Sequence, residues 1–178
     1  MTANMKRIIE IEAQISALQE EKNRLLSLES HNPYLSLIEM QPKFFGEWSE
    51  KYICDKCPSL DRRNQKGWDL WSDTLGRVEV KSCRWYSDKD KGTVNQCHPN
   101  DCDYFLFMFY KPYEGTEEIY LVPSKDFLDF GASPQHGRDE DAACYNVRLK
   151  AKKRIPLMEK YRISNWKELE EIAGGKNG

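Results

Sequence analysis

Two short apolar runs in this chain carry charges that a buried strand has no use for. In Gly67-Trp68-Asp69-Leu70-Trp71 a carboxylate sits among tryptophans and a leucine. In Arg77-Val78-Glu79-Val80-Lys81-Ser82, Glu79 and Lys81 flank Val80. The residues between them, Ser-Asp-Thr-Leu-Gly at 72–76, read as a hairpin turn. Side chains alternate along a strand, so Glu79 and Lys81 share one face and Val78 and Val80 the other. If the runs pair around 72–76, Asp69 presents its carboxylate to the same point. Two carboxylates and the Val80 backbone carbonyl form a hard, oxygen-rich set suited to Mg²⁺, with Mn²⁺ as a substitute. An adjacent ammonium can hold or help deprotonate a water and neutralise a phosphate oxygen. In-line hydrolysis of a phosphodiester requires that combination.

A Glu-x-Lys triplet alone says little. A second one, Glu20-Glu21-Lys22, lies in a helical stretch where it decorates a surface. On an isolated strand the triplet reads more simply as an exposed cross-strand ion pair. Three features set residues 79–81 apart: the charges are embedded in apolar strand sequence, Asp69 lies ten residues before Glu79 across a turn, and a helical segment with Gly46-Glu47 precedes both.

These residues together resemble the PD-(D/E)XK nuclease superfamily, which includes type II restriction endonucleases, junction resolvases and repair nucleases. The matching positions are Gly46-Glu47, Gly67-Trp68-Asp69 and Glu79-Val80-Lys81, and the likeness spans Phe44 to Tyr110. Trp68 stands where the pattern has proline, a change that leaves the ligands intact. Gln96 resembles a polar position that often follows the motif. The chain departs from the pattern in lacking a clear long helix between the motif strand and Tyr104. The resemblance implies an α/β fold with a restriction-endonuclease-like mixed central sheet flanked by helices. It implies that Asp69 and Glu79 bind the catalytic metal, that Lys81 assists the attacking water, and that Glu47 supports the site, with Glu50 one turn later as a rival. The implied activity is Mg²⁺-dependent DNA endonuclease, of the type II restriction kind, cutting a palindromic duplex site as a homodimer. The alternatives are a junction resolvase or repair nuclease, and a non-catalytic DNA-binding module of the same fold.

Around the motif, Arg62, Arg63, Lys66, Arg84, Lys89 and Lys91 fall in segments where phosphate contacts are usually made. Asn95, Gln96 and His98 carry side chains that can read bases, and the amides pair with adenine in the major groove, with a catalytic base as the alternative role for His98. The competing reading for each is a solvated loop residue. His31 and His136 read as plain loop histidines.

The 178 residues suffice for one domain with a substantial core plus an appendage, and 31% charged against 39% hydrophobic residues is an ordinary globular profile. A net charge of −2 gives no global attraction to nucleic acid, so any binding must be local. The cluster Arg148 to Arg154 is basic, and residues 139–141 are acidic. No apolar run approaches the ~20 residues that span a bilayer. With no secretory signal, the expected setting is the cytoplasm of a bacterial or archaeal cell, or of a phage host. The six cysteines are then expected to be free thiols, and the lone Cys54-x-x-Cys57 pair lacks the second half of a zinc site.

The elements that must position these residues begin with an amphipathic helix over 5–29. Ile8, Ile11, Ile15, Leu18, Lys22 and Leu25 fall on a coiled-coil seam, with Lys22 weakening it. Such a seam packs on a second copy or on its own domain. The division is a helical arm, 1–32, and a nuclease domain, 33–178. His31-Asn32-Pro33 breaks the helix, and Tyr34, Leu35, Leu37 and Ile38 open a second helical region. Pro42 starts a helix to about Ile53 with Phe44, Phe45, Trp48 and Tyr52 facing a core. Residues 54–66 and 86–101 read as polar connections. Tyr104 to Tyr110 reads as a central strand buried on both faces, and Ile119 to Val122 as another strand. Ser124 to Phe130 reads as a short helix, 131–143 as a flexible loop and Tyr145 to Leu149 as an edge strand. Asn165 caps a last helix, with Glu168 at the capping-box position and Gly174-Gly175 as its stop.

Overall fold

The run Tyr104 to Tyr110 has no polar face, so it can only be satisfied by cores on both sides. A computed structural model of the chain, which describes residues 2–28, 32–85, 91–130, 133–134, 145–150 and 159–175, has that arrangement. Three α-helices are described: α1 (Ala3–Leu28), α2 (Pro42–Lys56) and α3 (Trp166–Ala173). The strands are β1 (Asp61–Gln65), β2 (Trp68–Ser72), β3 (Gly76–Arg84), β4 (Lys91–Cys97) and β5 (Tyr104–Lys111). They continue with β6 (Thr116–Pro123), β7 (Ser133–Pro134), β8 (Tyr145–Lys150) and β9 (Arg162–Ile163), and single 3₁₀ segments occupy Leu35–Leu37 and Ser124–Phe130.

Six strands form one mixed sheet in the order β1-β2-β3-β5-β6-β9, in which β3 and β5 run parallel and every other neighbour is antiparallel. Along β5 the side chains alternate strictly. Leu106, Met108 and Tyr110 enter a core shared with Phe45 and Ile53 of α2 and Leu169 of α3. Phe105, Phe107 and Phe109 enter a second core with Trp85, Val94, Cys97 and Phe127. Each such side chain contributes about 2 kcal/mol by leaving water, which makes β5 the anchor of both layers. The fold class expected from the sequence is therefore present: a mixed sheet flanked by helices, with an N-terminal helix.

Capping and turn chemistry follow the sequence. Asn165 accepts from the Glu168 N–H at 3.1 Å, and Glu168 returns to the Ser164 N–H at 2.6 Å. The β2–β3 turn pairs Ser72 with Gly76. Gly76 sits at φ +74°, where a Cβ would come within 2.6 Å of an Asp103 oxygen, so only glycine fits.

Several expectations need correction. Residues 61–65 are not loop but the edge strand β1, whose side chains are all exposed. Residues 91–97 are likewise a strand, the edge of a separate sheet ordered β4-β8-β7. Accordingly β8, expected at an edge, is the middle strand of that small sheet. The region after Pro33 forms only a 3₁₀ turn, with Leu37 buried. On α2 the buried stripe is Phe45, Ser49 and Ile53, and Phe44 is exposed. The expected flexible loop at 131–143 lies outside the described residues except for 133–134, and the acidic stretch at 139–141 lies wholly outside them. The basic cluster lies outside beyond residue 150.

Along α1, Ile8, Ile11, Ile15, Leu18 and Leu25 are all exposed, Leu18 to 70%. Among the described residues nothing covers these five seam side chains, and Lys22 reaches the body, its ammonium 3.0 Å from Glu39. Among the described residues no helix is long and apolar enough to cross a membrane.

Candidate active site

The β2–β3 hairpin builds the centre. Its register pairs Trp71 with Arg77 and Leu70 with Val78, which leaves Asp69 and Glu79 next in line on one face. The pairing goes no further: the Val80 N–H donates to Asp69 Oδ2 at 2.9 Å, so a side chain takes the place of a ladder carbonyl. Val78 and Val80 point into the α2 core, and Ser82 below them donates to Ser49 Oγ of α2. Glu79 and Lys81 occupy the opposite face, their charged groups 2.6 Å apart and both largely shielded from water.

This pair is not a neutralised couple. Burial pushes the Glu79 carboxyl up to about 7; the Asp69 charge and a hydrogen bond to Asp69 push the same way, and Lys81 opposes them. Burial pulls the Lys81 pKa down, but the Glu79 charge and hydrogen bond, joined by Cys97 and Asp69, together outweigh it and the ammonium is held more firmly. Two carboxylates thus compete for one ammonium in a half-dry place. Such an arrangement stabilises a fold poorly and receives a cation well.

Of the α2 carboxylates, Glu50 lies within electrostatic reach of Asp69. Glu50 is half-buried, accepts from Arg62 Nε at 2.8 Å, and has its pKa raised by burial and by the Asp69 charge. Glu47 is exposed one turn earlier, within electrostatic reach of Glu50. The readable signal was Ile53: a buried stripe through Phe45, Ser49 and Ile53 brings position 50 closer to the sheet than position 47.

The surrounding cations divide. Arg62 and Arg63 lie on exposed β1, paired with Glu50 and with Asp61 at 2.7 Å, and Lys66 is exposed in the following turn. Arg84 is used differently. It donates to the carbonyls of Leu37 and Met40 at 2.7 Å and of Ile38 at 3.3 Å, and lies over the Phe45 ring. Its guanidinium closes the chain around the 3₁₀ turn and is committed there instead of to a phosphate. Lys91 opens β4, and Lys89 lies outside the described residues. Asn95 and Gln96 are exposed, and His98 is half-buried with its carbonyl accepting from the Asp101 N–H.

The five described cysteines are free thiols, and burial raises the pKa of Cys57 and, to about 11, of Cys102. Among the described residues no three His, Cys, Asp or Glu side chains are gathered as a protein cage for a metal. Mg²⁺ needs no such cage, since it takes one or two carboxylates and completes its shell with water and phosphate. Asp69 and Glu79 fit that requirement as a donor set.

No family model matches the chain, and no curated protein is similar to it. Among solved structures it is similar to a bacterial homing endonuclease, at 18% identity over 76% of this chain and 96% of that one, with a TM-score of 0.44. A superposition that loose assigns no chemistry to this chain.

Proposed function

We propose that this chain is a metal-dependent DNA endonuclease of the restriction type, cutting duplex DNA as a homodimer. One observation carries the reading: Asp69, Glu79 and Lys81 converge where β2 stops pairing with β3. Asp69 and Glu79 would hold Mg²⁺. The Val80 carbonyl would be a third oxygen, since a strand residue points its N–H and C=O to the same edge and the N–H already faces Asp69. When bound, Mg²⁺ supplies Lewis-acid polarisation of the phosphoryl group. The Lys81 ammonium, kept charged by Glu79, holds the attacking water and offsets charge building on a non-bridging oxygen. The water oxygen forms the new bond to phosphorus and gives its proton to solvent. The bond to the leaving oxygen breaks, and that oxygen is protonated by a second water. Glu50 orients Arg62 beside the site, and Arg62, Arg63 and Lys66 contact the phosphate backbone.

The homodimer rests on α1. Its 26 residues span about 39 Å, with the apolar seam open along them. A row of exposed isoleucines and leucines on a soluble helix marks a partner surface, and a second copy offers the matching seam. A two-fold dimer would set two sites on opposite strands of a palindrome. Ile15→Glu combined with Leu18→Glu should convert the sedimenting dimer to a monomer; a monomeric wild-type protein at micromolar concentration would refute the dimer.

The activity is tested by incubating the protein with phage-sized duplex DNA and Mg²⁺. Discrete fragments are the expected result. An intact substrate with both Mg²⁺ and Mn²⁺ would favour a silent DNA-binding module, and cleavage confined to branched DNA a resolvase.

A further inference from the structure

Among the described residues, two that are not glycine hold a left-handed backbone: Asn64 at φ +47° and Gln96 at φ +56°. Both stand in breaks of strand register. In β1, Arg62 pairs with Leu70 and Gln65 with Trp68, so Arg63 and Asn64 together oppose the single residue Asp69. In β4, Val94 pairs with Val147 and Cys97 with Tyr145, so Asn95 and Gln96 oppose Asn146. The first bulge therefore adjoins the carboxylate half of the site. The second adjoins Cys97, which lies within electrostatic reach of Lys81. A bulge re-aims the side chains it carries, and bulges gather beside active sites.

A left-handed conformation costs a non-glycine residue on the order of 1 kcal/mol, and glutamine lacks even the local tolerance of asparagine. Both residues are exposed. Glycine would sit in either position without strain, yet an amide occupies both. A primary amide offers one donor group and one acceptor in a plane, the pattern that matches adenine N7 and N6 in the major groove.

We propose that Asn64 and Gln96, aimed by the two bulges that flank the carboxylate pair, read adenine edges on either side of the cleaved bond and set the sequence preference of cutting. The proposal rests on the endonuclease reading above and adds Asn64 as a specificity-determining residue, with the β1 bulge as the device that presents it.

The test uses Asn64→Gly and Gln96→Gly in the full chain. Glycine keeps the left-handed backbone and removes only the amide, and an unchanged or higher Tm verifies that the bulge survives. Wild type and variants are each given a duplex library with randomised sequence and Mg²⁺, and the cut ends are sequenced. Each variant should lose adenine discrimination at one position by roughly 10-fold while still cutting. Variants that keep the wild-type preference overturn the proposal, including any that merely cut all sequences more slowly as a lost phosphate contact would. If the wild type cuts no member of the library, the endonuclease reading itself fails, and the amide assignment falls with it.

Discussion

Strand β3 carries two ion pairs built in opposite ways. Near its start, Arg77 grips Asp103 with two guanidinium hydrogen bonds of 2.9 and 3.1 Å, and the backbones of the two residues bond to each other's groups as well. Both side chains are about 40% exposed, and the Arg77 hydrogen bonds hold the Asp103 carboxyl below its ordinary range. Two residues further along, Glu79 and Lys81 are 11% and 16% exposed, with Asp69 as a third, like-charged neighbour. The first pair is satisfied and wet, and it ties β3 to the entrance of β5. The second is crowded, half-dry and unbalanced. A fold gains little from such a cluster, whereas a divalent cation and a phosphate would relieve it. The contrast separates charges that hold this sheet together from charges that contribute little to holding it.

The largest expected effect tests the unbalanced pair. Lys81→Ala or Asp69→Ala should lower the cleavage rate by roughly 10²–10³-fold in a fixed-time assay with Mg²⁺, since each removes a group acting on developing charge. A next, structural effect belongs to the balanced pair. Gly76→Ala forces a side chain into φ +74° and onto the Asp103 carboxylate, and should cost about 2 kcal/mol in urea unfolding. Asp103→Ala should cost about 1 kcal/mol and leave the sequence preference of cutting unchanged. Its pH dependence has a fixed sign. A depressed folded-state pKa means the contribution is present above the ordinary aspartate value near ~4 and is lost as pH falls through the lower folded value. The Tm difference between wild type and Asp103→Asn should therefore be constant at neutral pH and shrink in acid. The smallest effect has the opposite sign. Asp69→Asn keeps an oxygen for the Val80 N–H and removes one of two competing charges, so it should leave stability unchanged or raise it by about 1 kcal/mol. A loss as large as that of Asp103→Ala would erase the distinction between the pairs.

Much of this was legible in residue order. The β2–β3 hairpin, the doubly buried β5 and the Asn165–Glu168 cap each follow from patterns confined to a few residues. What was hidden depends on distant partners. β1 and β4 are polar edge strands whose bulges break the two-residue period, so neither alternation nor an apolar run marks them. β8 looked like an edge because its partners could not be seen. Arg84 looked like a phosphate contact because the carbonyls it closes, at Leu37, Ile38 and Met40, lie over 40 residues away. In the site, Asp69, Glu79 and Lys81 share a short hairpin and were readable, whereas the choice between Glu47 and Glu50 depended on which stripe of α2 meets the sheet.

The most direct measurement pairs activity with stability in one protein. Wild type and Asp69→Asn are compared for Mg²⁺-dependent cutting of phage-sized duplex DNA and for thermal unfolding. The expected result is discrete fragments from the wild type, none from Asp69→Asn in the same time, and a Tm for the variant at or above that of the wild type. Cleavage by Asp69→Asn at the wild-type rate would contradict it.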